Sequence, residues 1–328
     1  MGTLAGRRTT PQSGQLIHTQ RPPMSVPTAA RIVPQGAEGR IDALLAWFFV
    51  IVWGSGYLAT KIGIQYAAPF TFLTLRYLAG IACLLPWLLM SRPRWPASRR
   101  EFFHICVAGL LMHAINLGGS HYAQYLGISA GIVALILATQ PLLTAVFAHQ
   151  MLRQRLRPPQ WLGVALGLAG VALVVWHKVN VDAISFASLL AVGISLAAIT
   201  AGTLYQRAFC SAVDLRSATL IQFVASLLVL APLAWTVEGF VVRWRWPLLF
   251  SILFLVVFAS ILAVNALHLL MRRGHATRVT SLFYLTPIVA VLLEWLMFGV
   301  VPSWLSVVGI AVTCAGVALV CWQPRTRS

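Results

Sequence analysis

A shift of 146 residues lays one half of this chain on the other. Under it Pro141 falls on Pro287, Gly163 on Gly309 and Trp176 on Trp322. The run Ala169-Gly170-Val171-Ala172-Leu173-Val174 falls on the identical run Ala315–Val320. Upstream, the same offset carries Lys61 onto Arg207, Ala79 onto Ala225 and Pro86 onto Pro232. Aliphatic coincidences are cheap in a chain rich in Ala, Leu and Val. Prolines and tryptophans held at one ungapped offset are not. The chain therefore reads as two copies of one unit, and any fold must use each element twice.

Composition says where those copies sit. Hydrophobic residues make up 59% of the chain and charged residues only 9%, against about 25% charged in a soluble domain. Seven acids among 328 residues cannot solvate a globule of that size. Apolar runs of about 20 residues have the length that a bilayer core demands. They fall at 43–61, 69–90, 102–125, 129–150, 159–177, 184–206, 216–236, 248–271, 276–298 and 303–322. The fold expected is an all-α polytopic membrane protein of ten transmembrane helices. The net charge of +17 does not indicate nucleic acid, because the cations lie between apolar runs and not on one face. The cysteines Cys83, Cys106, Cys210, Cys314 and Cys321 form no Cys-x-x-Cys pair, so neither a disulfide framework nor a metal is expected.

Residues 1–41 hold no apolar run and read as a disordered cytoplasmic tail; Met24 is an alternative start within it. The repeats then occupy 42–177 and 184–322. Lys and Arg orient them: with the N-terminus in the cytoplasm, nineteen of the 24 cations fall in cytoplasmic segments. Lys61, Lys178, Arg243 and Arg245 fall outside, and Arg76 lies within a span. Five spans per copy is an odd number, so the second copy enters the membrane upside down. That inverted-topology repeat is how many secondary transporters build a midplane site that can face either side.

The spans also carry local motifs. They are Trp53-Gly54-Ser55 then Lys61, Pro69 then Arg76-Tyr77, Ser129-Ala130-Gly131 then Pro141-Leu142, Gln160-Trp161-Leu162-Gly163 then Gly170-Val171, and Tyr284-Leu285-Thr286-Pro287. With them the chain resembles the drug/metabolite transporter superfamily, EamA-type branch, over about residues 43–322. The resemblance implies two inverted halves of five helices around a central cavity, and export or uptake of small metabolites such as amino acids. One departure is plain. Where the family commonly places Gly-Glu after the fourth and ninth spans, this chain has Arg153-Gln154 and Gly299-Val300. Neither lysine begins a Lys-Ser/Thr pair, so no phosphate loop for ATP is present. Drive is expected from a gradient or from another chain.

Candidate site residues follow from polarity inside spans. Glu294 is the one acid well inside an apolar run, and an intramembrane acid is a functional hypothesis by default. It would serve as a proton carrier, giving proton coupling, or as a fixed anion beside a cation. Arg76 needs a partner, which Glu294, a backbone carbonyl or an anionic substrate group would supply. His113, Asn116 and Ser120 fall on one face of the third span, and Asn265 and His268 form a shorter pair on the eighth. Trp53 and Tyr57 flank glycines of the first span and would gate or stack on a ligand. Gln140, Tyr284 and Thr286 join the cavity set. Pro141 and Pro287 would break the helix at symmetry-related points and act as hinges. Gly163, Gly167, Gly170, Gly309 and Gly316 would let helices approach, within the halves or in a homodimer.

The expected function is secondary-active transport of a small organic metabolite across the cytoplasmic (inner) membrane, with both termini cytoplasmic. No enzyme chemistry, cofactor or nucleic-acid partner is expected. The rivals are a non-transporting assembly or sensor subunit and a membrane-embedded lipid enzyme. The enzyme would need an acid/base pair or a His-x-x-x-His or Cys-x-x-Cys cluster, which the sequence lacks.

Overall fold

The computed structural model describes residues 35–91, 93–152, 157–180, 184–211, 213–263, 265–266, 269–270 and 285–321, without the side chains of 35–40, 148–152, 177–180 and 321. The elements are α1 (Gln35–Gly63), α2 (Pro69–Ser91), α3 (Arg99–Gly109), a first π segment (Leu110–Ile115), α4 (Asn116–Tyr125), α5 (Ala130–Leu137), α6 (Gln140–Leu152), α7 (Pro158–Asn180), α8 (Phe186–Phe209), α9 (Leu215–Glu238), α10 (Trp246–Leu253), a second π segment (Phe254–Ala263), α11 (Thr286–Phe298) and α12 (Trp304–Cys321). Among the described residues eight helical spans are long and apolar enough to cross a membrane, and Thr286–Phe298 and Trp304–Val320 are shorter apolar helices. The protein is an all-α polytopic membrane protein. Helix α1 begins at Gln35, inside the stretch expected to be disordered. The apolar run fixes where a span enters lipid, and the helix itself continues beyond it. The rest of the expected tail lies outside the described residues.

The 146-residue shift reappears as structure. It carries α2 onto α9, α6 onto α11 and the first π segment into the second. Counterparts pack on each other, as α2 on α9 and α7 on α12. Both pairs run antiparallel. At one end of the α2–α9 pair, Phe70 N and Thr71 N, in the first turn of α2, donate to Glu238 at the last residue of α9 (2.9 and 2.7 Å). At the other end, Arg94 N donates to Asp214 Oδ2 (3.2 Å) and Ser217 Oγ donates to Arg94 O (2.6 Å). The bonds from Arg216 to Asp214 hold that carboxyl down at about 2, so it stays an ionised cap for α9.

Helices α7 and α12 meet through small residues. A Cβ on Gly163 would lie 2.5 Å from Gly316 O, and one on Gly170 would lie 2.6 Å from Gly309 O. Thr313 Oγ1 donates to Gly309 O within its own helix (2.8 Å) and reaches Gly167 O across the pair (3.4 Å). Lipid provides no hydrophobic drive between helices, so such backbone approach is what holds them. Of the glycines expected to pack within a half or in a homodimer, Gly163, Gly170, Gly309 and Gly316 join the two copies of the repeat, and Gly167 packs on Leu142 of its own half as well.

Pro141 and Pro287 sit in the first turns of α6 and α11, where the missing N–H is an orphan anyway; the residues upstream of Leu285 lie outside the described ones. Upstream of Pro141 the fourth span is already interrupted, with α5 ending at Leu137 and Ala138 and Thr139 forming the break.

Candidate functional site

Glu294 is held by three elements. It is 2% exposed, and its Oε1 accepts from Lys61 Nζ at 2.6 Å. Ala130 N donates to Oε1 (3.1 Å) and Gly131 N to Oε2 (2.9 Å). Those amides are the first of α5, whose N-terminus carries the positive end of the helix dipole. Gly131 is required there: a Cβ would lie 3.2 Å from Glu294 Oε2 and collide with Val291. The Lys61 ammonium also lies over the Phe298 ring, 4.5 Å from its centroid. This is the geometry of an ionised carboxylate accepting from three donors. It joins α1, α5 and α11 at the end of the bundle that carries the α1–α2 turn. A recess beside it is lined by Ser129, Ile132, Val291, Val301 and Ser306 among others.

Arg76 sits elsewhere and does not meet Glu294. Its Nη2 donates to Ser260 Oγ at 3.3 Å. Ser260 in turn bonds Leu255 O, five residues back (2.9 Å), a separation set by the second π segment. Among the described residues no carboxylate pairs with Arg76. Arg76 lines a small recess, partly open to the outside, with Tyr77, Gly80, Leu84, Thr219, Phe223, Val256 and Ile261. The rings of Tyr77 and Phe223 lie 5.1 Å apart. These two residues share one repeat position, as do Arg76 and Gln222.

The face expected on the third span is divided. The π segment adds backbone to the turn between His113 and Asn116, so an i, i+3 spacing no longer shares a neighbour. His113 turns to α2 and α9, where Nε2 lies 3.3 Å from Gln222 Oε1 and Tyr77 donates to its backbone carbonyl (3.1 Å). Asn116 turns to α8: Ser195 Oγ lies 2.7 Å from its carbonyl and 2.8 Å from its Oδ1. Ser120 bonds Leu117 O and neighbours His121, whose Nε2 lies 3.3 Å from Thr60 Oγ1.

The remaining candidates are spread through the packing. Gln140 Nε2 donates to Thr203 Oγ1 (2.9 Å), joining α6 to α8. Trp53 lies against Phe49, 5.3 Å between centroids, in the α1–α10 core. Tyr57 packs among Leu58, Ala130, Ala134 and Ala290. Thr286 is buried in the first turn of α11. Asn265 bonds Ile261 O, while Tyr284 and His268 lie outside the described residues. Sequence reasoning missed Glu238, Ser260, Gln222 and His121. Gln222 was within reach, since it is the repeat counterpart of Arg76. Ser260 was not, because no residue pattern announces a π segment.

Known proteins bear on this architecture. A model of the EamA-like transporter family matches residues 40–176 and again 185–322. The inner membrane transporter YedA of Escherichia coli (strain K12) is 28% identical over 276 residues, covering 76% of this chain and 85% of YedA. The transporter YvbV of Bacillus subtilis (strain 168) is 28% identical over 251 residues, covering 76% of this chain and 81% of YvbV. A probable amino-acid metabolite efflux pump of Salmonella typhimurium is 25% identical over 146 residues, or 43% of this chain and 45% of the pump. One crystal structure superimposes with a TM-score of 0.61 at 19% identity, covering 85% of this chain and 96% of the other, which shows a shared fold. This chain, matched by the family over both copies of its repeat, belongs to the EamA-like transporter family of multi-pass membrane proteins.

Proposed function

We propose that this protein is a secondary-active transporter of a small organic metabolite in the cytoplasmic membrane. It would work by alternating access between two inverted halves of five spans each. The observation that carries this reading is a family match over both copies of the repeat, with a recess lined from both copies: Arg76, Tyr77 and Leu84 of the first, and Phe223, Val256 and Ser260 of the second. A site between inverted repeats is what alternating access uses. The antiparallel packing of α2 on α9 and α7 on α12 supports the inversion. The test is counterflow in proteoliposomes loaded with a pool of unlabelled metabolites. Saturable exchange of at least one labelled solute is expected, and none is expected from a sensor or assembly subunit.

The charge distribution supports cytoplasmic termini. In intact cells, an impermeant thiol reagent is expected to label Lys178→Cys and Arg243→Cys but not Arg94→Cys or Arg155→Cys. Labelling of Arg155→Cys would overturn both the orientation and the inversion.

The hinge reading of Pro141 rests on the break just before it, and that of Pro287 on its equivalent place in the repeat. Pro141→Ala and Pro287→Ala each restore a backbone donor, which at Pro141 lets the interrupted span close into one helix. Both variants are expected to reach parental membrane levels while their exchange rates differ from the parent's by a few-fold or more. Parental rates in both would remove the hinge role.

A further inference from the structure

We infer, on the basis of the transport reading above, that Arg76 is the anion-binding centre of the substrate site and that the transported solute carries a carboxylate.

Guanidinium has five N–H donors and cannot shed its charge in a protein. The described structure uses one of them, toward Ser260 Oγ. The other carboxylates with recorded partners are committed elsewhere: Glu294 to Lys61 and the start of α5, and Glu238 to the start of α2. Asp214 is bound to Arg216, and Glu101 to Ala97 N. A cation within a span is costly unless a counter-charge meets it. Here Arg76 lines a partly open recess. An entering anion would supply the charge that the protein withholds, and an Arg fork takes a carboxylate in two parallel bonds where a Lys would offer only a point charge.

The walls narrow the solute further. Tyr77, Phe223, Leu84, Val256 and Ile261 form an apolar and aromatic surface, and among the described residues no acid lines the recess. Gly80 keeps it open, since a Cβ there would sit 3.0 Å from the Phe223 ring. The solute is therefore a small carboxylate with a short apolar or aromatic body; the ammonium of an amino acid would have to stay at the open mouth. Arg76 lies within Pro69–Ser91, a 23-residue apolar span, away from the ends where lipid phosphates sit. Its repeat counterpart is the neutral Gln222.

The experiment uses the full chain in phosphatidylcholine nanodiscs and three probes of matched shape: 3-phenylpropionate, 3-phenylpropanamide and 3-phenylpropylamine. Calorimetric binding is expected for the acid, with the amide and amine at least about tenfold weaker. Arg76→Gln is expected to weaken the acid about 10- to 100-fold and abolish the preference. Arg76→Lys should fall between, and Ser260→Ala, which frees the guanidinium, should weaken the acid a few-fold. If Arg76→Gln does not yield folded protein, the Lys and Ser260→Ala variants decide. Parental acid preference in both of them, equal binding of acid and amide by the parent, or no acid binding at all would overturn the site. Counterflow separates this from the parent reading. Solute exchange without anion preference sinks the carboxylate site and leaves transport standing, whereas Arg76-dependent acid binding without exchange does the reverse.

Discussion

Glu294→Gln is expected to lose exchange and thermal stability together, instead of exchanging normally while failing only at uphill accumulation. The carboxylate accepts from Lys61 and from two backbone amides of α5, and its side chain is 3% exposed. An amide has one acceptor oxygen and turns its NH₂ toward donors it cannot satisfy. Lys61 is then left partly buried with no counter-charge. Breaking a buried pair by removing one partner costs about 3–5 kcal/mol. Melting in detergent should show it, and Lys61→Met should show a similar loss for the mirror reason. The double variant Lys61→Met/Glu294→Leu removes both charges and should recover part of the stability. A Glu294→Gln protein that melts and exchanges like the parent, yet cannot accumulate substrate against a gradient, would restore Glu294 to the role of proton carrier.

Gly316→Val should be the most damaging single change in α12. Its Cβ would lie 2.6 Å from Gly163 O and 2.7 Å from Gly167 Cα. Those obstacles are backbone, so no side chain can swing aside. Overpacking in a protein interior commonly costs about 1–3 kcal/mol, and a forced separation of two helices belongs at or above the top of that range. Gly170→Val should behave alike, because its Cβ would meet Gly309 O at 2.6 Å and Thr313 N at 2.7 Å. Gly193→Val is the control, since nothing lies within 4 Å of its Cβ. Size-exclusion profiles of the detergent extracts decide the matter. A monodisperse, parental profile for Gly316→Val would mean that the α7–α12 contact is not needed for folding.

How much of this could be read from the residues depends on what each feature needs. Spans are legible because hydrocarbon imposes a length and an apolarity on every run that crosses it, so 69–90 was found within a residue of Pro69–Ser91. The repeat was legible because prolines and tryptophans resist drift. That Arg76 and Glu294 need partners is legible too, since a charge in such a span is costly. Their partners were not. Lys61 and Glu294 are 233 residues apart in sequence, and nothing local says which cation an acid will find. The same holds for Glu238, 167 residues from the Thr71 amide it caps. His113 and Asn116 were assigned to one face because helix arithmetic assumes 3.6 residues per turn, and a π segment breaks that arithmetic without altering the composition.

The contact between α7 and α12 has a consequence for how such a chain could come apart. Gly163 meets Gly316 as Gly309 meets Gly170, and the shift of 146 residues exchanges the two encounters. A patch that binds its own duplicate in this reciprocal way is self-complementary, the property of an isologous dimer interface. The covalent link between the halves is therefore not what specifies their embrace. Cut between α7 and α12, at the segment joining α7 to α8, the two fragments carry the instructions to find each other in a bilayer as separate chains.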